Sequence, residues 1–189
     1  TSHYSQRADR ACDSGRRVCA QPGLVIRKIG LCARPRVADL GRWAKKMNPS
    51  LPNAKRARSP EERTKIKRIV AELGLCGLAN DTKWDEFVDA MRAREEWRPS
   101  YRCKCVGGPV SDWDVEWFYH LPFPLISVEW LDVVFLQERR KHLLVAPEIT
   151  DHSGWIEEIL KQVGLDYRKG PSMIRIFGYS PRSKELFEA

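Results

Sequence analysis

"VSDWDVEWFYH", Val110 to His120, is the stretch whose reading decides how the chain folds. It holds Asp112, Asp114 and Glu116 beside Trp113, Trp117, Phe118, Tyr119 and His120. Its second half, "VEWFYH" (115–120), reads as a strand between two others. "YRCKCV" (101–106) precedes it and alternates strictly, and "LISVEWL" (125–131) follows the turn-rich "LPFP". If Leu121–Pro124 is a hairpin loop, residue 118 pairs with 127, 117 with 128, 116 with 129 and 115 with 130.

That register sorts the side chains into two faces. Val115, Trp117, Tyr119, Ile126, Val128 and Trp130 share the apolar one, joined by Tyr101, Cys103 and Cys105. Trp113 is expected beside them in the core. Asp114, Glu116, Phe118, Ser127, Glu129 and Leu131 share the acidic one, joined by Arg102 and Lys104. Glu116 opposite Glu129 is an unfavourable like-charge pair unless a cation such as Lys104 lies near. The acidic face has two readings: a solvated, salt-linked surface, or a docking face for a basic partner formed by Asp112, Asp114, Glu116, Phe118, Glu129 and Leu131.

Helices flank this meander. In "SPEERTKIKRIVAELGL" Ser59 reads as N-cap, Pro60 as the first turn and Glu62 as the capping-box acid. Ile66, Ile69, Val70 and Leu73 form its apolar stripe, and Lys65, Lys67 and Arg68 its wet side. "NDTKWDEFVDAMRARE" is capped by Asp81 or Thr82 and buries Trp84, Phe87, Val88 and Met91. "DHSGWIEEILKQVG" lines one face with Trp155, Ile156, Ile159, Leu160 and Val163. A hairpin follows, "LDYR" and "MIRIFGY" about the turn "KGPS". The fold class is therefore α+β: an antiparallel meander flanked by helices, then a C-terminal helix plus β-hairpin. The divisions are a basic, weakly ordered extension (1–58), a basic amphipathic helix (59–77), the α+β domain (78–180) and a tail (181–189). Met47 reads as the natural start, which makes residues 1–46 an upstream segment.

The chain's 189 residues carry a net charge of +8, unevenly spread. Residues 1–75 hold 18 Lys and Arg against 6 acids, a net of +12, so the remainder carries −4. The basic half suits nucleic acid through Lys55, Arg56, Arg58, Lys65, Lys67 and Arg68, whereas the acidic domain suits a basic protein. The six cysteines follow no zinc spacing, and Cys103 and Cys105 read as small core residues. There is no phosphate-binding loop, dinucleotide fingerprint, zinc-protease motif or nucleophile elbow. His120 could act as a base beside Glu116 or Glu129, yet no nucleophile neighbours it in sequence. No cofactor, metal or catalytic residue is expected. No apolar run is long enough to cross a bilayer, and a cytoplasmic location is expected.

"NDTKW" (80–84), "WRPSYR" (97–102), "DWDVEWFYH" (112–120), "ISVEWLDV" (126–133) and "IRIFGY" (174–179) together resemble an uncharacterised bacterial family, a domain of unknown function, over about residues 78–180. The resemblance implies no activity and transfers no catalytic residue. By analogy with other small acidic α+β bacterial domains, the function expected is non-catalytic protein binding, such as an immunity protein neutralising a basic toxin. The alternative is nucleic-acid binding through the basic half.

Overall fold

The computed structural model describes residues 51–141 and 146–187. The expectations for residues 1–46, and most of those for 1–58, concern residues outside this range. The described part is α+β, as the sequence implies, and its sheets are antiparallel. None of its helices is long and apolar enough to cross a membrane.

In chain order the elements are α1 (Pro60–Glu72), β1 (Cys76–Gly77), α2 (Asp81–Arg92), β2 (Tyr101–Cys105), a 3-10 turn (Leu125–Ser127), β3 (Val128–Val134), β4 (Leu136–Arg139), β5 (Glu148–Asp151), α3 (Ser153–Val163), β6 (Asp166–Lys169), β7 (Met173–Phe177) and β8 (Tyr179–Ser180). The main sheet runs β2-β3-β7-β6. Two small ribbons, β1-β8 and β4-β5, stand beside it. The C-terminal helix and hairpin are α3 and β6-β7, with Lys169 opposite Ile174.

The helices follow their patterns with small changes. Pro60 opens α1, but Ser59 makes no side-chain cap, and Glu62 accepts from the Arg58 N–H instead. The α1 stripe packs shallowly, since none of its residues is fully buried. Asn80, rather than Asp81 or Thr82, caps α2 by accepting from the Lys83 N–H at 2.9 Å. Trp84, Phe87, Val88 and Met91 are buried as their spacing requires. Gly164 ends α3 at φ 72°, a left-handed value that disfavours side chains, and its carbonyl accepts from Lys83 Nζ.

The meander is not the one expected. Val115–His120 forms no strand, and the neighbours of β3 are β2 and β7. Leu121–Pro124 is therefore not a hairpin loop, and Glu116 does not oppose Glu129. Leu131 instead pairs between Cys103 and Ile176, and Val133 between Tyr101 and Ile174. These six side chains make the core face, on which α2 and α3 pack. The predicted faces of β3 are thus reversed at Trp130 and Leu131, while Val128, on the far side of the register shift, lies in the core as expected. Leu131 is 1% exposed and belongs to the core. Trp130 points to the other face, with Asp132, Arg102, Lys104 and Arg175. The physical reason is that "VEWLDVVF" is apolar at both parities, so alternation alone cannot orient it. Close approach at Gly178 fixes the crossing: a Cβ there would meet the Val128 carbonyl, while the Gly178 N–H donates to Glu129 O.

The second face is closed by charge and by the chain's last described turn. Asp132 accepts from Arg175 Nε at 2.7 Å, from Arg175 Nη2 at 2.8 Å and from Arg102 Nε at 3.0 Å. Arg175 Nη1 donates to the carbonyls of Ser183 and Glu185, and its guanidinium lies 3.7 Å from the Trp130 ring centre. Lys104 reaches Glu185 at 2.6 Å and Glu129 at 3.8 Å. It thus supplies the cation expected near Glu129, although Glu185 is its closer partner.

Candidate functional site

The residues between β2 and β3 form a long loop that crosses the outer edge of β2. Two isolated bridges, Tyr101 with Asp114 and Lys104 with Val110, are all that links it to the strand as a ladder. They cover an edge that would otherwise invite pairing with another chain.

The acids of "DWDVEWFYH" build this loop. Asp114 Oδ1 accepts from the backbone N–H groups of Val115 (2.6 Å) and Glu116 (2.9 Å). Its Oδ2 meets His120 Nδ1 at 2.8 Å. Glu116 Oε1 accepts from the Phe118 N–H at 2.9 Å, and Oε2 from Tyr119 at 2.7 Å and His120 at 2.9 Å. A segment with no strand partner must still satisfy its amides, and here two carboxylates do so.

The pKa values follow from this geometry. The Glu116 N–H is the largest cause of the lowered Asp114 pKa, with His120 and the Val115 N–H adding to it. For Glu116 burial is the largest influence and pushes the pKa up, but the Tyr119, Phe118 and His120 N–H groups together outweigh it and lower the value. Both are depressed relative to the unfolded chain. Their contribution is therefore present above the ordinary carboxylate pKa of about 4 and is lost as pH falls through the folded values.

The loop is pinned from below. Trp117 is fully buried, donates from Nε1 to Pro99 O at 2.8 Å, and meets Phe87 edge-on and Tyr101 at a tilt. Arg92, at the end of α2, donates to the carbonyls of Trp117 (2.8 Å) and Phe118 (2.9 Å). Tyr101 OH donates to Glu116 O at 2.8 Å, and burial, aided by Asp114, raises its pKa and keeps it a donor.

What faces outward is apolar. Trp113 is 43% exposed, Val115 63% and Tyr119 57%. Among the described residues these are three of the six exposed large hydrophobics, gathered on one short loop. The expectation that Trp113 and Tyr119 belong to the core is thereby corrected: without a strand at 115–120, side-chain parity no longer sends them inward. Trp113 stacks one face on the Arg102 guanidinium at 4.7 Å. Phe118 is half-buried, with Arg98 at 5.1 Å and Arg92 at 5.9 Å from its ring centre.

The six residues proposed as an acidic sheet face therefore do not form one. Leu131 lies in the core, Asp114 and Glu116 are engaged by backbone amides, Phe118 lies against arginines, and Glu129 is on β3 beside Lys104. Asp112 is exposed at the start of the loop. The alternative set is arranged differently: Lys55, Arg56 and Arg58 precede α1, and Lys65, Lys67 and Arg68 lie on it, all exposed, with Arg68 paired to Glu72 at 3.5 Å.

Beside the loop lies a groove of about 360 Å³ lined by Cys103, Cys105, Trp113, Asp114, His120 and Pro122, among others. A second, of about 400 Å³, holds Trp97 stacked on His152 at 4.1 Å, with Trp155 and Arg94. Both His152 nitrogens are engaged: Nδ1 accepts from Trp155 Nε1 and Nε2 donates to Gln137. Neither the display loop nor the engaged histidine has a signal in periodicity, because both depend on contacts made across the fold.

No curated protein and no solved structure matches the chain. A family of unknown function, DUF6678, matches residues 66–183, which include the whole loop, both grooves and the main sheet. The match spans well over half of the sequence, and the chain belongs to this family of unknown function.

Proposed function

We propose that this is a non-catalytic protein-binding module that docks through the loop Asp112–His120. The observation that carries the reading is the exposure of Trp113, Val115 and Tyr119 on a loop whose backbone is already fixed by Asp114, Glu116 and Arg92. Aromatic side chains on a preformed backbone give large contact area at small ordering cost, which is how binding hot spots work. A bacterial immunity-type role is compatible with such a loop, but its support is now apolar contact more than acidic steering. Asp112 and the Asp114–His120 pair supply the polar rim. A cytoplasmic site of action fits a docking module of this kind.

The test uses the full chain and its Trp113→Ala/Tyr119→Ala variant, each immobilised and exposed to lysate of the native host. Both side chains are exposed, so the two proteins are expected to unfold at about the same temperature. A partner captured by the first should be lost or weakened by about 100-fold with the second, since two hot-spot aromatics are worth roughly 2–4 kcal/mol. Equal capture of that partner by both proteins contradicts the reading. The exposed Lys55, Arg56, Arg58, Lys65, Lys67 and Arg68 favour a second reading, nucleic-acid binding. It predicts retained RNA or DNA, equally by both proteins and with steep salt dependence.

A further inference from the structure

The loop covers one edge of the main sheet, and β6 forms the other. In the β6–β7 register Arg168 stands directly opposite Arg175. Like charges so placed are destabilising unless an anion lies near. Asp132 answers Arg175, but it also accepts from Arg102. Neighbouring cations have carboxylates of their own: Lys104 has Glu185 and Glu129, and Arg182 has Asp166 at 2.6 Å. Among the described residues no carboxylate pairs with Arg168 or Lys184, and both side chains are exposed.

These two residues line a cavity of about 260 Å³, together with Arg182 and three aromatics, Tyr167, Phe177 and Phe187. Phe177 is buried at the end of β7. Phe187 is half-buried, with the Arg175 guanidinium 5.0 Å from its ring centre. The cavity thus joins aromatic walls to positive charge that the described carboxylates do not balance. Its volume lies just under the roughly 300–1,000 Å³ usual for ligand pockets, so its occupant is small.

We propose that this cavity binds a phosphate monoester carried on an aromatic ring. The ring packs against Phe177 and Phe187, where offset or edge-to-face contact adds to burial. The phosphate takes the two uncompensated cations. Near pH 7 such a group carries about −1.5 to −2 charges and three acceptor oxygens, which suits Arg168 and Lys184 together. A monocarboxylate leaves one of them unanswered. The bound anion also relieves the opposition of Arg168 and Arg175, which explains why a like-charge pair stands in the sheet. The site lies at the edge away from the docking loop and does not depend on that reading.

The test titrates the full chain with phenyl phosphate, and in parallel with inorganic phosphate and benzoate, following the amide signals of Arg168, Phe177 and Phe187 by NMR. Phenyl phosphate should shift these signals saturably. It should bind at least about tenfold tighter than the other two, which lack the ring or the second charge. Arg168→Gln should unfold at the wild-type temperature or slightly above it, because the like-charge pair is gone. It should bind phenyl phosphate about tenfold more weakly, as expected for one lost charge-assisted bond. Lys184→Gln should weaken binding similarly. A phosphotyrosine peptide carries the same chemistry on a protein. Tighter binding of the peptide than of phenyl phosphate assigns the natural ligand to a protein side chain, and weaker binding to a free small molecule. Inorganic phosphate bound as tightly as phenyl phosphate, no saturable shift at these residues, or unchanged binding by Arg168→Gln overturns the proposal.

Discussion

Asp132→Ala is expected to destabilise the protein by about 3–5 kcal/mol, because it leaves a buried cation without its counter-charge. Asp132 and Arg175 are both fully buried, and the guanidinium grips the carboxylate with two bonds of 2.7 and 2.8 Å. Without Asp132, Arg175 keeps the carbonyls of Ser183 and Glu185 and the Trp130 ring but no carboxylate, and Arg102 loses its carboxylate partner. Arginine stays charged in folded proteins, so the cation is not neutralised in place. Removing both partners is a different experiment. Asp132→Leu with Arg175→Met should cost much less than Asp132→Ala, because no charge remains buried. Urea unfolding of the two variants checks this. A loss under 1 kcal/mol in Asp132→Ala would mean that the second face of the sheet is wetter than the geometry indicates.

Trp117→Ala is expected to cost a similar amount, about 3–5 kcal/mol, for a different reason. The indole is fully buried between Phe87 and Tyr101. Its removal opens a cavity and leaves the Pro99 carbonyl without its donor. Because the residue anchors the loop from inside, the loss should also loosen the backbone on either side. The check is an unfolding curve read by circular dichroism, which does not depend on the deleted tryptophan's fluorescence. A loss under 1 kcal/mol would show that the loop is not held by this side chain.

The sequence makes the helices, the terminal hairpin and the α+β class legible because each rests on local periodicity. Trp84, Phe87, Val88 and Met91 recur at helical spacing, and their burial requires nothing from distant residues. Trp117 is foreseen as buried for a related reason, although on the wrong element. The stretch around it misleads because its alternation is incidental. Asp114 and Glu116 stand where they can accept amide protons two to four residues onward. Short acids spaced this way favour a turn over a ladder. With that segment withdrawn, β3 pairs with β7 across more than forty residues of chain, as Asp132 opposite Arg175 shows. Nothing within "VEWLDVVF" announces that partner. The buried ion pair is hidden for the same reason: Arg175 reads as one polar position in an alternating strand until Asp132 is seen across from it. The candidate docking residues divide along this line. Phe118 and Asp112, expected on a sheet face, lie on the loop that replaces the expected strand, whereas Leu131 moves to the core as soon as the pairing changes.

The central claim is that Glu116 prefolds the loop that carries Trp113, Val115 and Tyr119. Amide hydrogen exchange of Phe118, Tyr119 and His120 in the free protein at neutral pH tests it most directly. The Glu116 carboxylate accepts from all three N–H groups at 2.7–2.9 Å. They should therefore exchange on the order of tenfold or more slowly than in an unstructured peptide, since about 1.4 kcal/mol of local stability suffices for that and charge-assisted bonds supply at least as much. In Glu116→Gln the amide NH2 replaces one acceptor oxygen, so protection should fall at these three residues while the amides of β3 and β7 stay protected. Free exchange at Phe118, Tyr119 and His120 in the wild-type protein, or protection unchanged by Glu116→Gln, would contradict the account.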